Sequence, residues 1–163
     1  RRIKPGLQSA GRRRRWSFLA KLPARVDRNG MHFVHASPRD PIKEYILKSD
    51  GFLDPEKMDD NSSRIEGPCF NGHTHWPGIM TADFRFHQAT ADRLDWDLPP
   101  ERCIINVGSV GQPRDGDPRS CFLVIDGEKL RYQRVSYAVE ETQRRILAMR
   151  LSPYLAERLA KGR

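Results

Sequence analysis

The chain has 163 residues and a mass of 18.8 kDa, the size of one ordinary domain and enough to bury a sizeable core. Hydrophobic residues make up 37% and charged residues 31%, and no apolar run approaches the ~20 residues of a membrane-spanning helix, which excludes that architecture. The net charge of +8 is concentrated at one end: residues 1–15 hold seven basic side chains and no acidic ones, leaving 22 basic against 21 acidic from residue 16 onward.

In chain order, residues 1–15 (RRIKPGLQSAGRRRR) show charge, Gly and Pro without hydrophobic period and read as a basic loop or tail. Trp16–Leu22 reads as a short helix stopped by Pro23. Asn29-Gly30 between Ala24–Arg28 and Met31–His35 predicts a β-hairpin, because both turn positions tolerate positive φ. Residues 36–40 are irregular, Pro41 suits the first turn of a helix running to about Lys48, and 49–67 read mostly as loop. Strands are expected at Pro68–Asn71, Gly78–Phe86, Arg102–Val107, Arg119–Asp126 and Lys129–Val135. An acidic excursion covers 87–101, a Gly-rich loop covers 108–118, and Asp126-Gly127 turns the last pair. Apolar residues at helical spacing (Val139, Ile146, Met149) predict a helix over 138–149. Ser152-Pro153 then reads as the start of a last helix ending near Gly162. The fold class is α/β (α+β), with one domain over 16–163.

Three cysteines (Cys69, Cys103, Cys121) are an odd count without a secretory signal, so they read as reduced and buried, in a cytoplasmic protein. The sequon at Asn61 reads as chance in that setting.

The chemistry gathers at strand ends. Asn71-Gly72-His73-Thr74-His75-Trp76-Pro77-Gly78 places two histidines at i and i+2. On extended backbone they point to opposite faces, but on a loop after Gly72 both imidazoles can turn towards neighbouring metal ions. Taken alone, the pair reads equally as two hydrogen-bonded histidines. A zinc site from Cys69, His73 and His75 lacks a convincingly spaced fourth ligand. His32 and His87 read as ordinary strand histidines, and Trp76 either packs or stacks on a ligand.

Three segments occur in order: Val34-His35-Ala36-Ser37-Pro38-Arg39, then Gly72-His73-Thr74-His75, then Asn106-Val107-Gly108-Ser109-Val110-Gly111. This combination resembles the calcineurin-like metallophosphoesterase superfamily, specifically its small bacterial phosphatases and phosphodiesterases, over nearly the whole chain from Trp16. The resemblance implies the C-terminal part of a four-layer αββα sandwich with a dinuclear metal centre. It implies His35 and His73 as ligands of one divalent ion and His75 as a ligand of the other, the ions being Mn, Fe or Zn. A metal-bridging hydroxide would attack the phosphate ester. Arg39 and Arg114, in the flanking loops, either hold substrate phosphate or form ordinary ion pairs. Asn106, Gly108 and Ser109 are expected to shape and brace the turn beside the site.

The sequence also departs from the pattern. Ala36 stands where the family usually has Gly. The family's N-terminal half, with its Asp-x-His, its Gly-Asp and its Gly-Asn-His-Asp or Gly-Asn-His-Glu, which carry the remaining ligands and the catalytic acid, has no counterpart ahead of Val34-His35 in this chain. An incomplete domain whose N-terminal half is missing is therefore expected, with an exposed edge strand or apolar face near Arg102–Val107 or Phe33–His35. The competing reading is a non-catalytic module that binds nucleic acid or an acidic partner through residues 1–15.

Overall fold

The structure is a computed structural model that describes residues 10–163. It opens with α1 (Ala10–Leu19), followed by a hairpin of β1 (Arg25–Arg28) and β2 (Met31–Val34). Two short helices, α2 (Asp50–Leu53) and α3 (Pro55–Ser62), lead to β3 (Pro68–Asn71), β4 (Gly78–Met80), β5 (Phe86–Gln88), β6 (Asp95–Asp97) and β7 (Cys103–Asn106). The chain ends with β8 (Ser120–Asp126), β9 (Lys129–Val135), α4 (Val139–Ala148) and α5 (Pro153–Ala160).

Six strands form a mixed sheet in the order β1-β2-β3-β7-β4-β5, and three form a second sheet in the order β6-β9-β8. Within the larger sheet β2, β3 and β7 are parallel, with Cys69 opposite both His32 and Ile104. Side chains alternate along these strands as the two-residue period demands. Cys69, Met80 and Ile104 point to one face and pack with Met58 and Ile65 from the α3 region and with Ile46. Phe70, Ile79, Cys103 and Ile105 point to the other and pack with Leu130 of the smaller sheet. A layer with α3 thus covers one face of the six-stranded sheet and the smaller sheet covers the other, while α4 and α5 pack on each other. This is the mixed α/β architecture expected, and all three cysteines are buried free thiols.

The Asn29-Gly30 hairpin forms with both residues at positive φ, 53° and 74°. Several expectations need correction. Helix α1 begins at Ala10, so residues 10–15 are helical and not loop; arginine is a good helix former, and charge alone does not break a helix. The remainder of the expected tail, residues 1–9, lies outside the described residues. No helix forms over 41–48, because side chains take its backbone groups: Asp40 accepts from the amides of Ile42 and Lys43, Asp50 from that of Leu47, and Lys57 donates to the Tyr45 carbonyl. The helices stand instead in 49–67, where Asp54 caps α3 by accepting from the Lys57 amide and Pro55 opens it.

The expected strand 78–86 is a hairpin. Thr81 bonds Asp83 and the Arg85 carbonyl, and Phe84 turns the chain at φ 60°. The acidic excursion contributes β6 to the smaller sheet. Arg102–Val107 is no exposed edge, since β7 lies between β3 and β4, and β2 is likewise flanked on both sides. The sheet edges among the described residues are β1 and β5 of the larger sheet and β6 and β8 of the smaller; on β8 the Cys121 amide donates to the Ser109 carbonyl, and Phe122 and Val124 are 39% and 41% exposed.

Candidate metal centre

Parallel strands β2, β3 and β7 bring their C-terminal ends to one edge of the sheet, the place where α/β sheets characteristically bind ligands. His35 follows β2, His73 and His75 follow β3, and Gly108 follows β7. The chain is stitched there in register: the Gly72 amide donates to the His35 carbonyl at 3.0 Å, and the Val107 amide to the Asn71 carbonyl at 2.9 Å.

Both His73 and His75 occupy left-handed backbone, at φ 59° and 61°. This conformation is uncommon for non-glycine residues, and such strain concentrates at functional sites. It also resolves the i, i+2 spacing, because the chain leaves extended geometry at the two histidines. Asn106 holds this turn: its amide donates to the Gly72 carbonyl (2.5 Å) and the Thr74 hydroxyl (2.8 Å), and its carbonyl accepts from the Gly108 amide (3.0 Å). Gly108, at φ 81°, leaves no room for a Cβ, which would stand 2.6 Å from Cys121 Sγ. Ser109 Oγ accepts from the Gln112 amide at 3.0 Å.

His35 Nε2 and His73 Nδ1 meet at 2.8 Å. The other His73 nitrogen, Nε2, lies 3.1 Å from the Lys43 carbonyl. A carbonyl only accepts, so in neutral His73 the proton sits on Nε2 and the Nδ1 lone pair faces His35. His75 Nδ1 lies 2.7 Å from the Gln112 carbonyl and donates to it, which leaves the lone pair on Nε2. Backbone carbonyls thus fix both tautomers, as they do around metal-binding imidazoles. Desolvation, and then the neighbouring His73, hold the His35 ring below the ordinary histidine pKa. Desolvation does the same to His75; the Gln112 carbonyl opposes it, and Arg114, His35 and His73 reinforce it. Neutral imidazoles are the form in which histidine binds metal.

The donor set fits a divalent ion only in part. Three imidazoles are present, yet among the described residues no group of three or more His, Cys, Asp or Glu side chains is placed to hold a metal ion. Cys69 lies in the core, packed with Met58, Ile65, Met80 and Ile104, and is not grouped with His73 and His75 as the zinc alternative requires. Arg39 is held by Glu44 and Asp60, the ion-pair arrangement, and its backbone amide donates to Asn61. Among the described residues the Arg114 side chain bonds only that of neutral Gln112, and its amide donates to the His75 carbonyl. His32 bonds Asp27 and the Glu66 amide, and His87 packs edge-on to Trp96, both away from the cluster. Sequence reasoning missed Tyr45, whose ring lies 4.0 Å from that of His73, and Lys48, 4.2 Å over the Trp76 ring. Neither carries a local motif; their segment was read as helix.

No family model matches the chain. A crystal structure of a metallophosphoesterase from Sphaerobacter thermophilus is similar over 90% of this chain and 60% of its own, with a TM-score of 0.79 and 34% identity. An uncharacterized protein of Methanocaldococcus jannaschii is 32% identical over 157 residues, 90% of this chain and 59% of that protein. A hypothetical protein from Pyrococcus horikoshii OT3 shares the fold at 18% identity and a TM-score of 0.60. The chain therefore spans about three-fifths of the length of the relatives it matches.

Proposed function

We infer, for a chain similar over 90% of its length to a metallophosphoesterase at 34% identity, that it contributes the histidine-bearing part of a metal-dependent phosphoesterase site. The observation that supports the reading most is the meeting of His35 and His73 nitrogens beside a strained turn that also carries His75. Two divalent ions at such a site supply a hydroxide nucleophile and neutralise phosphoryl charge. His35 Nε2, His73 Nδ1 and His75 Nε2 are the atoms that would hold them. The Lys43 and Gln112 carbonyls keep the ring protons on the far nitrogens, and Asn106 fixes the turn.

Within this reading, the carboxylate ligands and the acid that protonates the leaving oxygen come from outside residues 10–163. Three neutral imidazoles cannot balance two divalent ions, which accounts for the partial donor set. The 163-residue chain by itself should show negligible turnover of 4-nitrophenyl phosphate with Mn²⁺. Joined to the remainder of the Sphaerobacter thermophilus protein, it should turn over, and His73→Ala should reduce the rate at least about 100-fold. Appreciable hydrolysis by the chain alone, unaffected by His73→Ala, would refute the assignment.

A further inference from the structure

Against the α3-bearing face of the six-stranded sheet lies a cavity of about 320 Å³, between the 45–49 segment and strands β4, β5 and β7. Buried Met80 and Ile104 form its inner wall with Phe86, and Trp76, exposed Lys48 and half-buried Arg114 complete its lining. It borders the histidine cluster: Thr74, between the two left-handed histidines, lines it, and so does Tyr45, the ring packed on His73.

Three features of this cavity go together. Among the described residues its lining holds two cations and no carboxylate: Lys48 lies over the Trp76 ring, and Arg114 bonds the neutral Gln112 side chain. Its other walls are mainly aromatic and aliphatic, with Ser49, Asn71, Thr74 and Asn106 as neutral polar groups among them. Among the described residues, five buried side-chain polar atoms lack a hydrogen-bond partner, and three belong to residues lining this cavity: Asn71 Oδ1, Trp76 Nε1 and Arg114 Nε. Asn71 is itself only 3% exposed. These three atoms have almost no accessible surface of their own, so what suits the cavity to a ligand is its pair of cations, its aromatic walls and its border with the histidine cluster.

We propose that this cavity receives the alcohol portion of a phosphate ester, and that this portion carries a flat ring. The proposal rests on the phosphoesterase reading for the position of the phosphoryl group and adds the class of ester. The ring lies against Trp76 and Phe86, where an aromatic face gains both buried area and stacking. The cations Lys48 and Arg114 attract the anionic end towards the side that borders the histidines, and the guanidinium can accept it in a fork. A lipid phosphate fits less well, because a cavity of this volume with three aromatic walls suits a compact ring.

The test is binding, read without metal and without turnover. In EDTA, 1-naphthylmethylphosphonate (ring and anion) and adenosine 5′-monophosphate are titrated against the 163-residue chain. Methylphosphonate (anion alone) and 1-naphthalenemethanol (ring alone) serve as fragments, and tryptophan emission and calorimetry are the readouts. At least one ring-bearing anion should bind at least about tenfold more tightly than either fragment, quenching emission that Trp76→Phe removes. Lys48→Met and Arg114→Met should each weaken it by about tenfold or more, while Arg93→Met, which removes the cation stacked on Trp96, should not. A preference for the nucleotide assigns the ring as a nucleobase, and the reverse assigns a plain aryl group. Equal affinity for methylphosphonate, or binding indifferent to both Lys48→Met and Arg114→Met in variants with unchanged melting, overturns the proposal. Because no metal is present, such a result leaves the phosphoesterase reading untouched, and failure of turnover leaves the binding result untouched.

Discussion

Asn106 shows how one side chain converts strand register into site geometry. Its position at the end of β7 sets it opposite Asn71, and its carboxamide then spans the two loops that leave β3 and β7. Replacing it with alanine removes the donor to the Gly72 carbonyl and the acceptor for the Gly108 amide. Asn106→Ala should cost about 2–4 kcal/mol in urea unfolding, since its three bonds, to the Gly72 carbonyl, the Thr74 hydroxyl and the Gly108 amide, are lost together. A loss below ~0.5 kcal/mol would mean that the turn holds without it. Glu44 is the second informative residue. Burial opposes its charge, yet Arg39, Ser37 and Asn61 overcome that opposition and hold the carboxyl at about 2, against an ordinary 4.5. The folded pKa is depressed, so this stabilisation is complete above pH 4.5 and is lost as pH falls towards 2. Glu44→Gln should therefore be the less stable protein at neutral pH and lose less between pH 4.5 and 2. Urea midpoints measured across that window check the sign, and parallel curves for the two proteins would contradict it.

Among the elements, the loop 108–118 depends on β9. Arg134 and Asp115 form an ion pair with side chains only 4% and 3% exposed, and Asp117 lies 3.8 Å from Arg134 Nε. Removing one partner strands the other charge in a low-dielectric setting, which costs far more than the pair itself contributes. Arg134→Met should destabilise the chain by about 3–5 kcal/mol, and Arg134→Met combined with Asp115→Asn should recover most of that loss. Thermal or urea unfolding of the two variants decides it; a double variant no better than the single would show that the loop needs the charge pair for its shape. The strands β3 and β7 illustrate the same dependence from the apolar side. Each is four residues long and buried throughout, and each is stable only because its alternate side chains enter two different cores.

For the molecule as a whole, the two sheets and the α3 layer give the described residues clusters of buried side chains on both faces of the larger sheet, and the histidine cluster stands where three parallel strands end. The donor set at that cluster is partial, and the chain spans about three-fifths of the length of the relatives it matches.

The sequence by itself determined the elements whose cause is local. The Asn29-Gly30 hairpin, the Asp126-Gly127 turn, the strands Pro68–Asn71 and Cys103–Asn106 and the helix opened by Pro153 follow from turn chemistry and short apolar runs. The three histidines were legible because their motifs are contiguous. Tertiary structure alone decided the segment 41–62: the helical pattern after Pro41 gave way because Asp40, Asp50 and Lys57 side chains bind its backbone, and the helix formed later, behind Asp54. It alone brought Tyr45 onto His73 and Lys48 over Trp76, pairings about 28 residues apart that no spacing announces. It also chose the backbone carbonyls of Lys43 and Gln112 as the partners that fix the histidine tautomers. A carbonyl is common to every residue, so its role is written only in where the fold puts it.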